Sequence, residues 1–230
     1  MARAAREAAR ARCHNAHVGL PWPLFELRLR SARLELRSPT DDDLLALLEV
    51  ARAGIHDPAS MPFAIAWTDL RGEAFDQGFL QFYWGTRASW TVDSWSLPLA
   101  VHLDGQPIGV QELSATNFHT NRIVDTGSWL GVRFQGHGFG TEMRAAVLAY
   151  AFDSLAAVSA RSGALEGNEA SRRVSLKLGY RPDGFGEVAP RGTPVREERF
   201  VLDRWDFDRD RWPVVVEGFH ACRRMFGLDR

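Results

Sequence analysis

Apolar and polar positions alternate along this chain with two periods, and their succession predicts an order of elements before any motif is considered. Leu27, Leu29, Leu34 and Leu36 alternate with charged residues, the pattern of a strand with one wet face, so residues 27–37 are expected to form the first strand. Ser38, Pro39 and Thr40 supply a turn and an N-cap, Asp41, Asp42 and Asp43 suit the positive end of a helix, and Leu44, Leu45, Leu47, Leu48 and Ala51 recur at helical spacing up to Gly54. Residues 55–69 hold Met61, Phe63 and Trp67 among prolines without a clean period and are expected to be irregular. A second helix is predicted over 73–89, with Phe75, Phe79, Phe82 and Tyr83.

Farther on, the segments 96–103 and 107–113 flank Asp104-Gly105, a hairpin signal, and predict two antiparallel strands. A strand over 123–132, a helix over 141–154 carrying Met143, Val147, Leu148, Ala151 and Phe152, and a strand over 158–165 come next. A helix from Asn168 and strands over 180–188 and 195–202 complete the order. The class is α/β in the α+β sense: a mixed central sheet of about six to seven strands flanked by helices. One domain over 27–204 is expected, after an N-terminal extension of 26 residues that is partly disordered or packed. Residues 205–230 hold Phe207, Trp212, Phe219, Met225 and Phe226, too apolar to stay in water, so this appendage either packs on the domain or forms a dimer contact.

Between the strand 123–132 and the helix 141–154 stands Gln135-Gly136-His137-Gly138-Phe139-Gly140-Thr141. A strand-to-helix turn aims unpaired N–H groups and the positive end of the helix dipole at one point, and glycines let a phosphate approach the main chain. The turn has the make-up of a diphosphate cradle. It has neither the Gly-Lys-Ser/Thr ending of a P-loop nor the G-x-G-x-x-G spacing, and the later acid of a dinucleotide site is missing. Taken alone, residues 135–140 fit a ligand-free glycine turn equally well. Downstream, Asn168 is placed to cap a helix, Val174, Leu176 and Leu178 are its apolar positions, and Gly179 suits its left-handed end.

These two segments, in order, resemble the GNAT N-acyltransferases, whose usual patterns are Q/R-x-x-G-x-G/A and N-x-x-S/A-x5-K-x-G-F/Y. The second pattern falls on Asn168, Ser171, Lys177, Gly179 and Tyr180. Leu34-Glu-Leu36-Arg37-Ser-Pro39 matches the family's L-x-L-R-x-P, and Gly127-Ser-Trp129-Leu130 together with Ser171 is most similar to the RimJ/RimL-like subgroup. The resemblance covers residues 27–202. It implies a GNAT fold in which the strand 123–132 splays from the parallel strand 158–165 and the pantetheine arm of an acyl-CoA enters the gap.

By the same resemblance, main-chain groups of Leu130, Gly131 and Val132 meet the pantetheine. Amides of Gln135, Gly136, His137, Gly138, Phe139, Gly140 and Thr141 hold the diphosphate, Asn168 meets the arm or its thioester, and Lys177 joins the CoA-binding set. The reaction implied is direct attack by an amine on the thioester in a ternary complex, because Cys13 and Cys222 lie far from both motifs. Such attack needs a base for the amine and a donor for the leaving thiolate. Many relatives carry a tyrosine where this chain has Ser175, which puts the usual phenolic acid in doubt; Ser171 matches the serine that the RimL-like branch uses near the sulfur. Asp125 is the first candidate base and Glu112 the second. The aromatic segment before residue 90 either lines the acceptor pocket or is core. Acceptors implied are protein N-termini, lysine, small amines or amino-sugar antibiotics. The donor is acetyl-CoA or another acyl-CoA, with succinyl-CoA brought in by basic residues such as Arg122, Arg133, Arg172 and Arg173.

Composition removes other classes. Lys plus Arg number 28 against 29 Asp plus Glu, a formal net charge of −1, so no broad attraction for nucleic acid or a membrane surface is expected. Two cysteines give no disulfide framework and no C-x-x-C site, which points to the cytoplasm, and seven histidines without paired spacing predict no metal. The Ala/Arg-rich stretch from Met1 to Arg12 lacks the apolar core of a secretion signal and reads as a frayed basic helix more than a nucleic-acid arm. No run is long and apolar enough to span a bilayer. A non-catalytic acyl-CoA-binding module on the same fold is the rival reading, kept open by Ser175.

Overall fold

The computed structural model describes residues 20–228; the stretch from Met1 to Arg12, with the basic helix expected there, lies outside the described residues. Nine strands form one sheet: β1 (Arg28–Arg30), β2 (Leu34–Arg37), β3 (Trp95–Leu103), β4 (Gln106–Ala115), β5 (Ile123–Leu130), β6 (Ser159–Leu165), β7 (Arg181–Val188), β8 (Val195–Asp203) and β9 (Val215–Glu217). Across the sheet they run β7-β8-β6-β5-β4-β3-β2-β1-β9. Every neighbouring pair is antiparallel except β5 with β6.

The count exceeds the expected six to seven for two reasons. Residues 27–37 do not run as one strand: Ser31 N donates to Leu34 O at 3.0 Å, and the segment folds into a hairpin with Arg28 opposite Arg37. The alternation changes phase between Leu29 and Leu34, and the turn absorbs that shift, so Leu29 and Leu36 face each other across it, both fully buried. The other addition is β9, in the C-terminal segment, which pairs with β1. The Asp104-Gly105 hairpin forms with φ of 49° and 78°, the two positive values of the mirror-image turn that suits the sheet's twist.

Helices α1 (Asp41–Arg52) and α2 (Gly72–Ala88) cover one face of the sheet, and α3 (Phe139–Ala149) and α4 (Glu169–Lys177) cover the other. Thr40 and Asp43 form a reciprocal capping box at the start of α1. Behind it Leu44, Leu47 and Leu48 are buried, while Leu45 points outward and is half-exposed. Phe75, Phe79 and Tyr83 of α2 join Trp129 of β5 in this core, so most of the aromatic surface is interior packing; Phe82 is exposed. α3 begins at Phe139, two residues before the expected start, and runs on as a π-helical turn, Tyr150–Ser154. Phe207, Cys222 and Phe226 sink into the core on the α3 side, and Trp90 Nε1 donates to Met225 O at 3.0 Å. Leu24, in the turn before β1, is buried in the same core.

Candidate active site

The pairing of β5 with β6 stops early. Only Ile123, Val124 and Asp125 have partners in β6, the last being Arg161. Beyond that point β6 pairs with β8 alone and β5 with β4 alone, so the β6-facing edge of residues 126–130 has no strand beside it. The gap opens into a cleft of about 1060 Å³. Thr126 to Leu130 form one wall, α4 and the end of β6 the opposite wall, and the segment from Ile55 to Ala64 the rim. Among the described residues the open backbone thus lies upstream of the expected Gly131 and Val132. The amide of Gly131 donates to Ile108 O at 3.0 Å and that of Val132 to Gly54 O at 2.9 Å, and neither residue lines the cleft.

Gln135, the first residue of the glycine turn, acts through its side chain. Its Nε2 donates to Ile55 O at 2.6 Å and Leu130 O at 2.9 Å, tying the end of β5 to the segment after α1. Gly136 and Gly138 have φ of 79° and 84°, where an L-residue is strained, and Gly138 stands at the N-cap of α3 with no side chain capping it. The Thr141 amide turns back to Gly138 O at 3.1 Å, while those of Phe139 and Gly140 have no partner among the described residues and are left for something else. Gln135, Gly136, Gly138, Gly140 and Thr141 line the cleft, whereas His137 and Phe139 are not part of its lining. Arg33 holds that outer side: its guanidinium lies 4.5 Å from the Phe139 ring centroid and donates to His137 O at 3.2 Å. It also pairs with the buried Glu142 at 2.6 Å. No local pattern announces Arg33, because its partners are more than a hundred positions away.

The second motif folds as a capped helix. Asn168 Oδ1 accepts from Ser171 N at 3.1 Å, and the C-terminus closes with Tyr180 N donating to Ser175 O and Gly179 N to Leu176 O, Gly179 having φ of 93°. Asn168, Ser171 and Lys177 face the cleft. Ser175 does not: it is fully buried, accepts from Arg144 at 2.9 Å and donates to Ser171 O at 3.1 Å. Tyr180, the phenol that ends the motif, is buried as well, and burial pushes its pKa up to about 12. Arg144 of α3, which belongs to no motif, lines the floor of the cleft while only 4% exposed. Burial lowers its pKa from the ordinary arginine value.

Neither candidate base lines the cleft directly. Glu112 of β4 is opposite Gly127 of β5, and its Cβ lies 4.0 Å from where a Gly127 Cβ would stand. Gly127 itself lines the cleft, so no side chain separates Glu112 from the gap at that point. Burial raises the Glu112 pKa, opposed by a 2.9 Å bond from Ser96 Oγ. Asp125 stands at the closed end of the gap. Its side chain is solvent-exposed, yet the flanking strands withdraw enough water to raise its pKa against the pull of Arg161. Glu197 of β8, which carries no motif and was not anticipated, lines the cleft with its carboxylate packed on Gly163, where any larger side chain would collide with it. Of the aromatic segment, Phe63 reaches the cleft with Met61 and Pro62. Among the described residues no group of three or more His, Cys, Asp or Glu is placed to hold a metal ion, and no helix is long and apolar enough to cross a membrane.

A splayed parallel strand pair, continued by an uncapped glycine turn into a helix, defines a recognisable class, and comparison with known proteins agrees. Residues 33–181 match the family model of the acetyltransferase (GNAT) domain. That is more than half of the chain, which belongs to the GNAT acetyltransferase family. Among solved structures, RimJ of Mycobacterium smegmatis in complex with CoA-disulfide is similar at 16% identity and a TM-score of 0.62, over 88% of this chain and 95% of that one. RimL, a ribosomal L7/L12 alpha-N-protein acetyltransferase in complex with coenzyme A, matches at 15% identity and a TM-score of 0.60, over 75% and 95%. The microcin C7 self-immunity acetyltransferase MccE, in complex with acetyl-CoA and AMP, matches at 16% and 0.58, over 75% and 93%. At these identities the likeness is one of fold.

Proposed function

We propose that this protein is an acyl-CoA-dependent N-acyltransferase that moves an acetyl group from coenzyme A to a primary amine by direct attack in a ternary complex. The observation that carries this reading is the junction, in one cleft, of the unpaired edge of β5 with the uncapped start of α3. An extended amide-bearing arm can hydrogen-bond to the first and a diphosphate to the second. Gly136, Gly138, Gly140 and Thr141 would hold the diphosphate, residues 126–130 and Asn168 the arm, and Lys177 a further phosphate charge. Glu112 serves as base for the amine, reached over Gly127 through water, in preference to Asp125; its raised pKa keeps it basic enough for the task. Ser171 donates a hydrogen bond to the departing sulfur. The acceptor enters by Met61, Pro62 and Phe63, a rim that favours an amine with an apolar neighbour.

A protein N-terminus is the first acceptor to test, since RimL acts on one. Calorimetry with CoA, followed by thiol release from acetyl-CoA and succinyl-CoA against a panel of peptides and small amines, decides the matter. Binding with release from acetyl-CoA is expected; no binding overturns the reading. The buried Ser175, which removes the usual acid, favours the rival module. Tight CoA binding with no release from any donor supports that rival.

A further inference from the structure

Arg144 is a buried cation with no carboxylate partner among the described residues. Its Nη1 donates to Ser162 Oγ at 3.1 Å and Ser175 Oγ at 2.9 Å, and its Nη2 reaches Ser128 Oγ at 3.4 Å and Ser171 Oγ at 3.5 Å. Its Nε is buried with no partner among the described residues. A guanidinium stays protonated even when burial disfavours it, so a positive charge sits under the cleft, and burying one unpaired is costly unless a negative charge meets it. All four neighbours are hydroxyls, and a hydroxyl that accepts from a cation becomes a stronger donor elsewhere. Ser175 spends its proton on Ser171 O. Ser171 has only a long 3.4 Å contact to Gly163 O, and Ser128 has no acceptor among the described residues. Both line the cleft, on opposite sides of the gap.

We propose that Arg144 is a positioning residue for the leaving group: its charge, delivered through the hydroxyls of Ser128 and Ser171, holds the departing sulfur of coenzyme A as a thiolate. The inference rests on the acyl-CoA reading above. The amine nitrogen bonds to the thioester carbon and its proton passes to Glu112. The C–S bond then breaks with its electron pair on sulfur. The thiolate is held by two O–H donors and takes a proton from water on release, while Glu112 returns its own to solvent.

The test uses free CoA bound to the full chain, with the thiol titrated by its ultraviolet absorbance against the complex of S-methyl-CoA, which cancels the protein's own cysteines. In the wild-type complex the thiol should titrate about one unit or more below free CoA. Arg144→Gln should return it toward the free value, with CoA affinity retained by calorimetry, and should lower kcat about a hundredfold with little change in KM for the donor. Ser128→Ala combined with Ser171→Ala should raise it likewise, and this pair decides the matter if Arg144→Gln does not fold. A thiol that titrates identically in wild type and variants overturns the proposal. So does loss of a preference for succinyl-CoA over acetyl-CoA with the thiol unmoved, which would assign the guanidinium to a donor carboxylate. Failure of the wild type to bind CoA at all sinks the acyl-CoA reading itself and is seen before any titration.

Discussion

At the scale of single residues, burial and chemistry pull in opposite directions at Glu112. Burial raises its pKa above the ordinary glutamate value of about 4.3. A raised carboxyl gives stability that is complete at low pH and is lost as pH rises through the folded value. Glu112→Gln removes that loss, so thermal unfolding at neutral pH should find the variant at least as stable as wild type. Its kcat should nonetheless fall by about 10²–10⁴-fold, and the rise of kcat/KM with pH across the raised pKa should disappear. Equal loss in Glu197→Gln with Glu112→Gln active would move the base to β8. Strand acids near a cofactor motif are few, which is why the sequence offers Asp125 first and Glu112 second as bases. Arg144 and Glu197 were not legible, since each is defined by what packs on it: four serines from three other elements for one, Gly163 for the other.

Among elements, two helix starts show opposite strategies. α1 is fully capped. Burial alone would raise the Asp43 pKa, but bonds with His102 and Thr40 and the Arg37 charge hold its carboxyl well below the usual carboxylate range. A depressed carboxyl gives stability that is complete above the unfolded value of about 3.9 and is lost as pH falls through the folded one. Acid titration of the melting temperature should therefore show a decline below about pH 4 that flattens in Asp43→Asn, the variant losing about 1–3 kcal/mol at neutral pH. α3 is left open. Gly138→Ala finds room, with Arg33 Nη2 at 3.5 Å, so its cost is the positive φ, about 1 kcal/mol. CoA affinity by calorimetry should drop about fivefold, as a loop displaced by that much energy predicts. Both starts were readable as residue patterns. The hairpin within residues 27–37 was not, because its only trace is the odd step of five from Leu29 to Leu34, a change of phase that the reversal at Ser31 and Arg33 converts into a shared buried face, and no Gly, Asn or Pro marks the turn.

For the whole molecule, sequence periodicity yields the class of fold but misses what closes its far side. β9 pairs with β1, and Phe226 and Cys222 are buried with Leu24, so segments from both ends of the described chain complete one core. Apolar content alone said that residues 205–230 must dock; which surface receives them depends on a sheet edge that exists only after the hairpin has formed. The gap between β5 and β6 has a consequence of its own. An inner strand whose outer half lacks a neighbour on one edge carries amide protons that trade for deuterium as fast as those at a sheet's rim, although three strands lie on one side of it and five on the other. Mass spectrometry of peptides spanning residues 126–130 should record rapid uptake that slows when a thioester ligand saturates the protein, the guest serving as the missing strand.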